Sequence, residues 1–253
     1  MNTLERIVAT TRAEVERRRG PLTVPPASPR REAFHAAVRR PGLSLIAEHK
    51  RRSPSAGVIR ADASLEDVVG AYERGGAAAL SVLTEEANFG GSPDDLRRAR
   101  ATSGLAILRK DFIVDPFQVD ESIAIGADAI LLIVAALGDE ELCDLHAHAS
   151  ERGLSVLVEV HDQRELDQAL ACGATIVGVN NRDLRTLEVD TERTFQLLPE
   201  VPDGIVTVAE SGFSAPEQLA ALRDAGVDAV LVGEALMRAE NIEHATRELL
   251  GAL

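Results

Sequence analysis

From residue 43 onward, short apolar runs alternate with longer stretches in which apolar residues recur every three or four positions. That is the pattern of strands alternating with amphipathic helices. The runs predict strands over Leu43–Glu48, Ala78–Leu83, Leu105–Arg109, Ala129–Ile133, Ser155–Val160, Ile176–Val179, Ile205–Glu210 and Ala229–Val232. Eight strands, each followed by a helical stretch, predict an α/β chain folded as one closed (β/α)8 barrel, a TIM barrel over residues 1–253. A repeat supports the count. Gly76, Gly126, Gly173 and Gly226 each stand between a helical stretch and an apolar run, at intervals of 50, 47 and 53 residues. Each interval is about two βα units, and each glycine reads as a helix C-cap before an even-numbered strand.

Upstream, Leu4, Ile7, Val8 and Val15 lie among charges and predict an amphipathic helix over residues 1–19. Gly20–Arg30 is proline-rich and irregular, and Arg31–Arg39 reads as a second helix. Residues 1–42 are therefore expected to form an N-terminal helical extension capping one end of the barrel, most of its side chains serving packing.

Length agrees with this architecture, since 253 residues match the roughly 250 of such barrels. Apolar runs such as Ala129–Leu137 are too short to span a bilayer, and the amino terminus lacks the apolar core of a signal peptide. A cytoplasmic protein without a membrane partner is expected, as a monomer or weak homo-oligomer. Cys143 and Cys172 are far apart in sequence and both fall in expected helix, so they read as packing residues, not as a bridge or metal pair. A net charge of −14 argues against a nucleic-acid partner, but leaves room for a small anionic ligand held by local cations and backbone amides.

Candidate chemistry begins where the first strand turns polar. Leu43–Gly57 runs from apolar residues into Glu48, Lys50 and Ser53 before Pro54 and Gly57 end any regular element. Of 27 basic residues only Lys50 and Lys110 are lysine. A lysine ammonium can give up a proton when its surroundings shift its pKa, which a guanidinium cannot. Both lysines directly follow apolar runs, where a barrel presents its active site. The other strand ends contribute Glu159, Asn180 to Arg182, Glu210 to Gly212, and Gly233 with Glu234. Charge of that density at one end of apolar strands requires a charged ligand or proton transfer.

Glu-Ser-Gly-Phe at Glu210 and Val-Gly-Glu-Ala at Val232 read as a phosphate clamp of small residues and free amides. Glu234 is expected to bind through its amide while its side chain turns away. Phe89 and Phe112, two of six phenylalanines, sit on loops at the same end and read as walls for an aromatic ring. His146 and His148 point to different helix faces and make no metal site, and His161 reads as a helix-start residue.

Several segments together resemble one family. Ile-Ala-Glu-His-Lys-Arg-Arg-Ser-Pro-Ser, Ser-Val-Leu-Thr-Glu with Phe-Gly-Gly-Ser, Leu-Arg-Lys-Asp-Phe-Ile-Val-Asp, Leu-Val-Glu-Val-His, Gly-Val-Asn-Asn-Arg-Asp-Leu and Ala-Glu-Ser-Gly are similar to indole-3-glycerol phosphate synthases. His49 stands where the family carries an aliphatic or aromatic residue, on the side of the strand facing away from the axis, and Ala56 where many relatives carry lysine. The resemblance implies ring closure of an anionic sugar phosphate, 1-(2-carboxyphenylamino)-1-deoxyribulose 5-phosphate, with loss of carbon dioxide and water. It implies that Lys110 supplies the proton, that Lys50 grips the carboxylate, that Glu159 acts in dehydration, and that Glu48 and Asn180 orient them. Phosphate falls to Ser53, Ser211, Gly212, Gly233 and Glu234 with Arg182 nearby; the ring falls to Phe89, Phe112, Leu131 and Leu184, and Glu210 joins the substrate contacts. No metal or organic cofactor is expected. A Schiff-base aldolase using Lys110, a sugar-phosphate isomerase and a non-catalytic phosphate-binding barrel are the alternatives left by the residues alone.

Overall fold

Eight parallel strands close on themselves in the computed structural model of the chain, which describes residues 2–22, 30–60 and 62–251. They are β1 (Ser44–His49), β2 (Ala79–Leu83), β3 (Ala106–Lys110), β4 (Ala129–Ile133), β5 (Ser155–Val160), β6 (Ile176–Asn180), β7 (Val206–Glu210) and β8 (Ala229–Val232). Each pairs with its neighbours in sequence, and β1 closes the barrel against β8 through Ala47 and Val232. The TIM barrel of the sequence pattern is thus present. Three strands run one residue further than their apolar runs, because the ladder continues through His49 opposite Val82, Lys110 opposite Leu83 and Asn180 opposite Glu210.

Alternation along each strand divides the apolar residues between two clusters. Ile46, Leu108, Leu131, Leu157 and Val208 fill the barrel interior. Leu45, Ile107, Leu132, Val158 and Ala209 pack against the surrounding helices. Continuing the inward phase to the C-terminal strand ends gives Glu48, Lys110, Glu159, Asn180 and Glu210; His49 and Arg109 fall on the outward phase. All four repeated glycines take the left-handed φ that lets a helix end sharply, from 84° to 97°.

Two helices precede the barrel, α1 (Thr3–Arg18) and α2 (Arg31–Val38). They bracket it instead of capping one end. Leu4 and Ile7 of α1 are buried beside the mouth, and Arg12 donates to the carbonyl of Val114 while pairing with Glu141. Phe34 and Val38 of α2 are buried at the opposite end, where Arg30 joins Asp128 and the carbonyls of Gly104 and Leu105. Of the irregular segment expected over Gly20–Arg30, residues 23–29 lie outside the described residues. Among the described residues no helix is long and apolar enough to cross a membrane.

A second expectation is overturned. Cys143 and Cys172 form a disulfide with Cα atoms 4.8 Å apart. Cys143 lies in α6 (Asp139–Glu151) and Cys172 ends α7 (Gln163–Ala171), if helices are numbered along the chain through α3 (Leu65–Gly75), α4 (Pro93–Thr102) and α5 (Pro116–Ala124). Consecutive barrel helices run side by side, so a separation of 29 residues is one βα unit and brings the two thiols together. The Gln168 side chain donates to Asp139 across the same pair of helices.

Candidate active site

The inward polar residues at the strand ends form one ionic network. Lys110 Nζ lies 3.0 Å from Glu159 Oε2 and 3.2 Å from Glu210 Oε2. Across the mouth Lys50 Nζ pairs with Glu48 Oε1 at 2.9 Å, and Ser81 Oγ donates to the other Glu48 oxygen at 3.1 Å. Both lysines line a single cavity of about 420 Å³. Two glycines make space for the carboxylates. A Cβ on Gly178 would stand 2.2 Å from Glu210 Oε1, and one on Gly233 would stand 2.7 Å from Glu48 Oε1.

Burial and neighbouring charge separate the ionisation of these groups. Burial disfavours the Lys110 ammonium, yet the charges of Glu159, Glu210 and Glu48 outweigh it and raise its pKa above the ordinary lysine value. Glu48 and Glu159 are also deeply buried, but Lys50 and Lys110 hold the first below the usual carboxylate range, and Lys110 with His161 hold the second there. Glu210 goes the other way: burial dominates, Glu159 adds repulsion, and its carboxyl is pushed up to about 7 although Lys110 opposes the rise. The mouth therefore holds a loaded ammonium at Lys110, two ionised carboxylates and a third carboxyl titrating near neutrality.

Supports behind the network fix its position. Arg109, fully buried beneath Lys110, donates to Thr84 Oγ1, Ser122 Oγ, Asp111 Oδ2 and Glu121 Oε2. Asp111 in turn accepts from the amide of Phe112 at 2.8 Å. Glu85 accepts the amides of Asn88 and Phe89 at 2.7 and 2.9 Å. The loops so held present Phe89 and Phe112 to each other, ring centroids 6.4 Å apart, and Leu131 and Leu184 extend this wall.

The opposite wall carries exposed backbone. Ser211 (φ 64°) and Gly212 (φ 89°) are consecutive left-handed residues after β7. A serine in that conformation is strained and calls for a function. Gly233 precedes the short helix Glu234–Arg238, whose first amides have no partner within the helix. Arg238 Nε donates to the Glu234 carboxylate at 3.0 Å, and both residues line the cavity. Ser53 Oγ accepts the amide of Ala56 at 3.1 Å, and the Asn180 side-chain oxygen accepts the amide of Arg182 at 3.0 Å.

Every site residue selected from the sequence lines this cavity, and Thr3, Leu4, Ile7, Asp111 and Arg238 line it too. The helical face of α1 carries the only signal for the first three; Asp111 lies inside a motif quoted above, and Arg238 lies just beyond the one that begins at Val232. His49 is buried on the outer side of β1, where burial and then Arg51 lower its pKa to about 4. Among the described residues no three His, Cys, Asp or Glu side chains are grouped to hold a metal ion.

A family model described as indole-3-glycerol phosphate synthase matches residues 4–249, nearly the whole chain and all eight strands. The chain belongs to the indole-3-glycerol phosphate synthase family. Within that family, indole-3-glycerol phosphate synthase 2 of Streptomyces coelicolor is 48% identical over 251 residues, covering 97% of each chain. The indole-3-glycerol phosphate synthase of Rhizorhabdus wittichii is 46% identical over 259 residues, covering 98% of each. Among solved structures, thiamine phosphate pyrophosphorylase from Pyrococcus furiosus aligns with a TM-score of 0.61 at 22% identity, over 83% of this chain and 95% of that one. This likeness concerns the barrel alone.

Proposed function

We propose that the chain performs the reaction of its family, converting 1-(2-carboxyphenylamino)-1-deoxyribulose 5-phosphate to indole-3-glycerol phosphate, carbon dioxide and water. It is then a carboxy-lyase of tryptophan biosynthesis. The observation that carries the reading is the Lys110 ammonium, held between Glu159 and Glu210 on the wall of a cavity that also offers an aromatic cleft and a strained backbone turn.

In ring closure the aryl carbon bearing the carboxylate attacks the ketone, and the ketone oxygen must gain a proton as its π bond opens. Lys110, whose charged form the carboxylates favour, supplies that proton, since an alkoxide is the stronger base. Positioned proton transfer of this kind contributes about 10²- to 10⁴-fold. Lys50 exchanges part of its bond with Glu48 for the benzoate carboxylate, which then departs as carbon dioxide and returns its electron pair to the ring. The hydroxyl formed at the former ketone takes up a second proton, from Lys110 reloaded by solvent, and leaves as water, while Glu159 takes the proton lost from the neighbouring carbon. Asn180 and Glu48 orient these groups. Phe89, Phe112, Leu131 and Leu184 receive the ring, while Ser53, Ser211, Gly212, Gly233, Arg182 and the amide of Glu234 receive the phosphate, with Glu210 beside the reacting carbons. A Schiff base at Lys110 is disfavoured, because its amine would have to be neutral to attack and its neighbours favour the ammonium.

The chain is read as one domain with residues 1–42 as its extension, acting in the cytoplasm as a monomer or weak homo-oligomer. Incubation of purified protein with the carboxyphenylamino sugar phosphate should produce indole fluorescence without added metal. Absence of signal throughout about pH 6 to 9 would sink the assignment.

A further inference from the structure

His161 follows Glu159 by two residues, at the point where β5 hands over to α7. It does start that helix: Asp162 caps it by accepting the amide of Glu165 at 2.9 Å. Glu165, however, reaches back and spends one oxygen, Oε2, on both the His161 amide at 2.8 Å and His161 Nδ1 at 2.9 Å. The imidazole is thereby fixed at two points and turned so that Nε2 lies 3.7 Å from Glu159 Oε1. Both atoms are buried, and among the described residues neither has a hydrogen-bond partner.

Two acceptors cannot comfortably face each other in a buried site. With Nδ1–H committed to Glu165, a neutral ring would present a bare Nε2 to a carboxylate oxygen. A second proton on the ring removes that conflict and places a cation beside Glu159. We propose that His161 is a positioning residue for the reaction, clamped by Glu165 so that its charged ring keeps Glu159 ionised and aims its free oxygen. This rests on the reading of Glu159 as a proton acceptor.

The surroundings agree in direction. Burial disfavours charge on the ring, but Glu165 and Glu159 outweigh it and raise the His161 pKa. Arg193, from the helix Glu192–Leu197, opposes the ring's charge, and the ring in turn favours the ionised form of Asp183 on the loop after β6. On Glu159, His161 acts together with Lys110 against burial.

The test compares pH profiles of kcat and kcat/KM for the wild type, H161Q and E165Q. Glutamine keeps a donor near the Nε2 position without the charge. Loss of the cation should move the acidic limb of H161Q upward by about one pH unit, as expected for an opposite charge removed from this distance. KM should stay nearly constant, and kcat should recover toward wild type on the alkaline side. E165Q should shift the limb in the same direction. An H161Q profile superimposed on the wild type, with unaltered circular dichroism, overturns the proposal. NMR titration gives an independent reading: E159Q should lower the His161 midpoint, and an unmoved midpoint also overturns the proposal. Full turnover by E159Q would instead refute the role of Glu159, leaving the coupling seen by NMR to stand or fall separately.

Discussion

Glu210 gives a stability prediction whose sign and size follow from its surroundings. Its carboxyl is fully buried, and burial together with Glu159 pushes it from 4.5 up to about 7 despite the Lys110 ammonium at 3.2 Å. A carboxyl raised in the folded state binds its proton more tightly there than in the unfolded chain. As pH climbs from about 4.5 to 7 the unfolded chain releases that proton first, so the folded state loses stability through this window. Above about pH 7 the deficit is complete and amounts to about 3 kcal/mol. Replacing Glu210 with glutamine, near in shape to the protonated acid, should remove it. E210Q should therefore be more stable than wild type by about 3 kcal/mol at about pH 8, and nearly equal to it at about pH 4. Urea denaturation followed by circular dichroism measures the difference, provided the m-values agree. An advantage independent of pH, or a loss of stability at alkaline pH, would refute the reasoning. Retention of an acid with this penalty fits a residue kept for turnover at the expense of stability.

Three further outcomes are expected. Lys110→Ala should lower kcat by at least about 10²-fold with circular dichroism unchanged, and a smaller loss would remove Lys110 as proton donor. Reduction of the Cys143–Cys172 bridge, or C143S with C172S, should cost about 3 to 4 kcal/mol for a loop of this length; an unchanged melting temperature under reductant would contradict this. Gly178→Ala should drive Glu210 from its place beside Lys110, destabilise the protein by about 1 to 3 kcal/mol, and reduce turnover, whereas wild-type kinetics would mean that the strand yields at no cost.

The barrel was legible because its strands are buried on both sides and read as continuous apolar runs. The charged residues that end those runs, Glu48, Lys110, Glu159 and Glu210, have no packing reason to be there, which made them visible as chemistry. The lysine count did the rest, by setting two ammonium groups apart from a background of arginine. Residues acting through others left no such mark. Gly178 looks like any strand glycine until Glu210 is seen in the space its missing side chain leaves. Arg109 looks like one more arginine, and only the outward phase of β3 shows it buried in a cage of acceptors. His161 was correctly read as a helix start, but nothing in one dimension shows the second direction in which its ring points. The cysteines mislead because separation along the chain is not distance in space, where one βα unit returns the backbone to its neighbour.

The aromatic wall and the titratable groups differ in how they are anchored. Lys110, Glu159 and Glu210 grow from paired backbone inside the sheet. Phe89, by contrast, hangs from a loop whose shape is set largely by the side chain of Glu85. On the proposed assignment, the wall that receives the aryl group could thus be rebuilt by altering a few loop positions, while the groups proposed to move protons stay where the ladder holds them. If those roles hold, selectivity for the ring and competence for the reaction are separable in this scaffold, and a laboratory search for new substrates would begin at that loop.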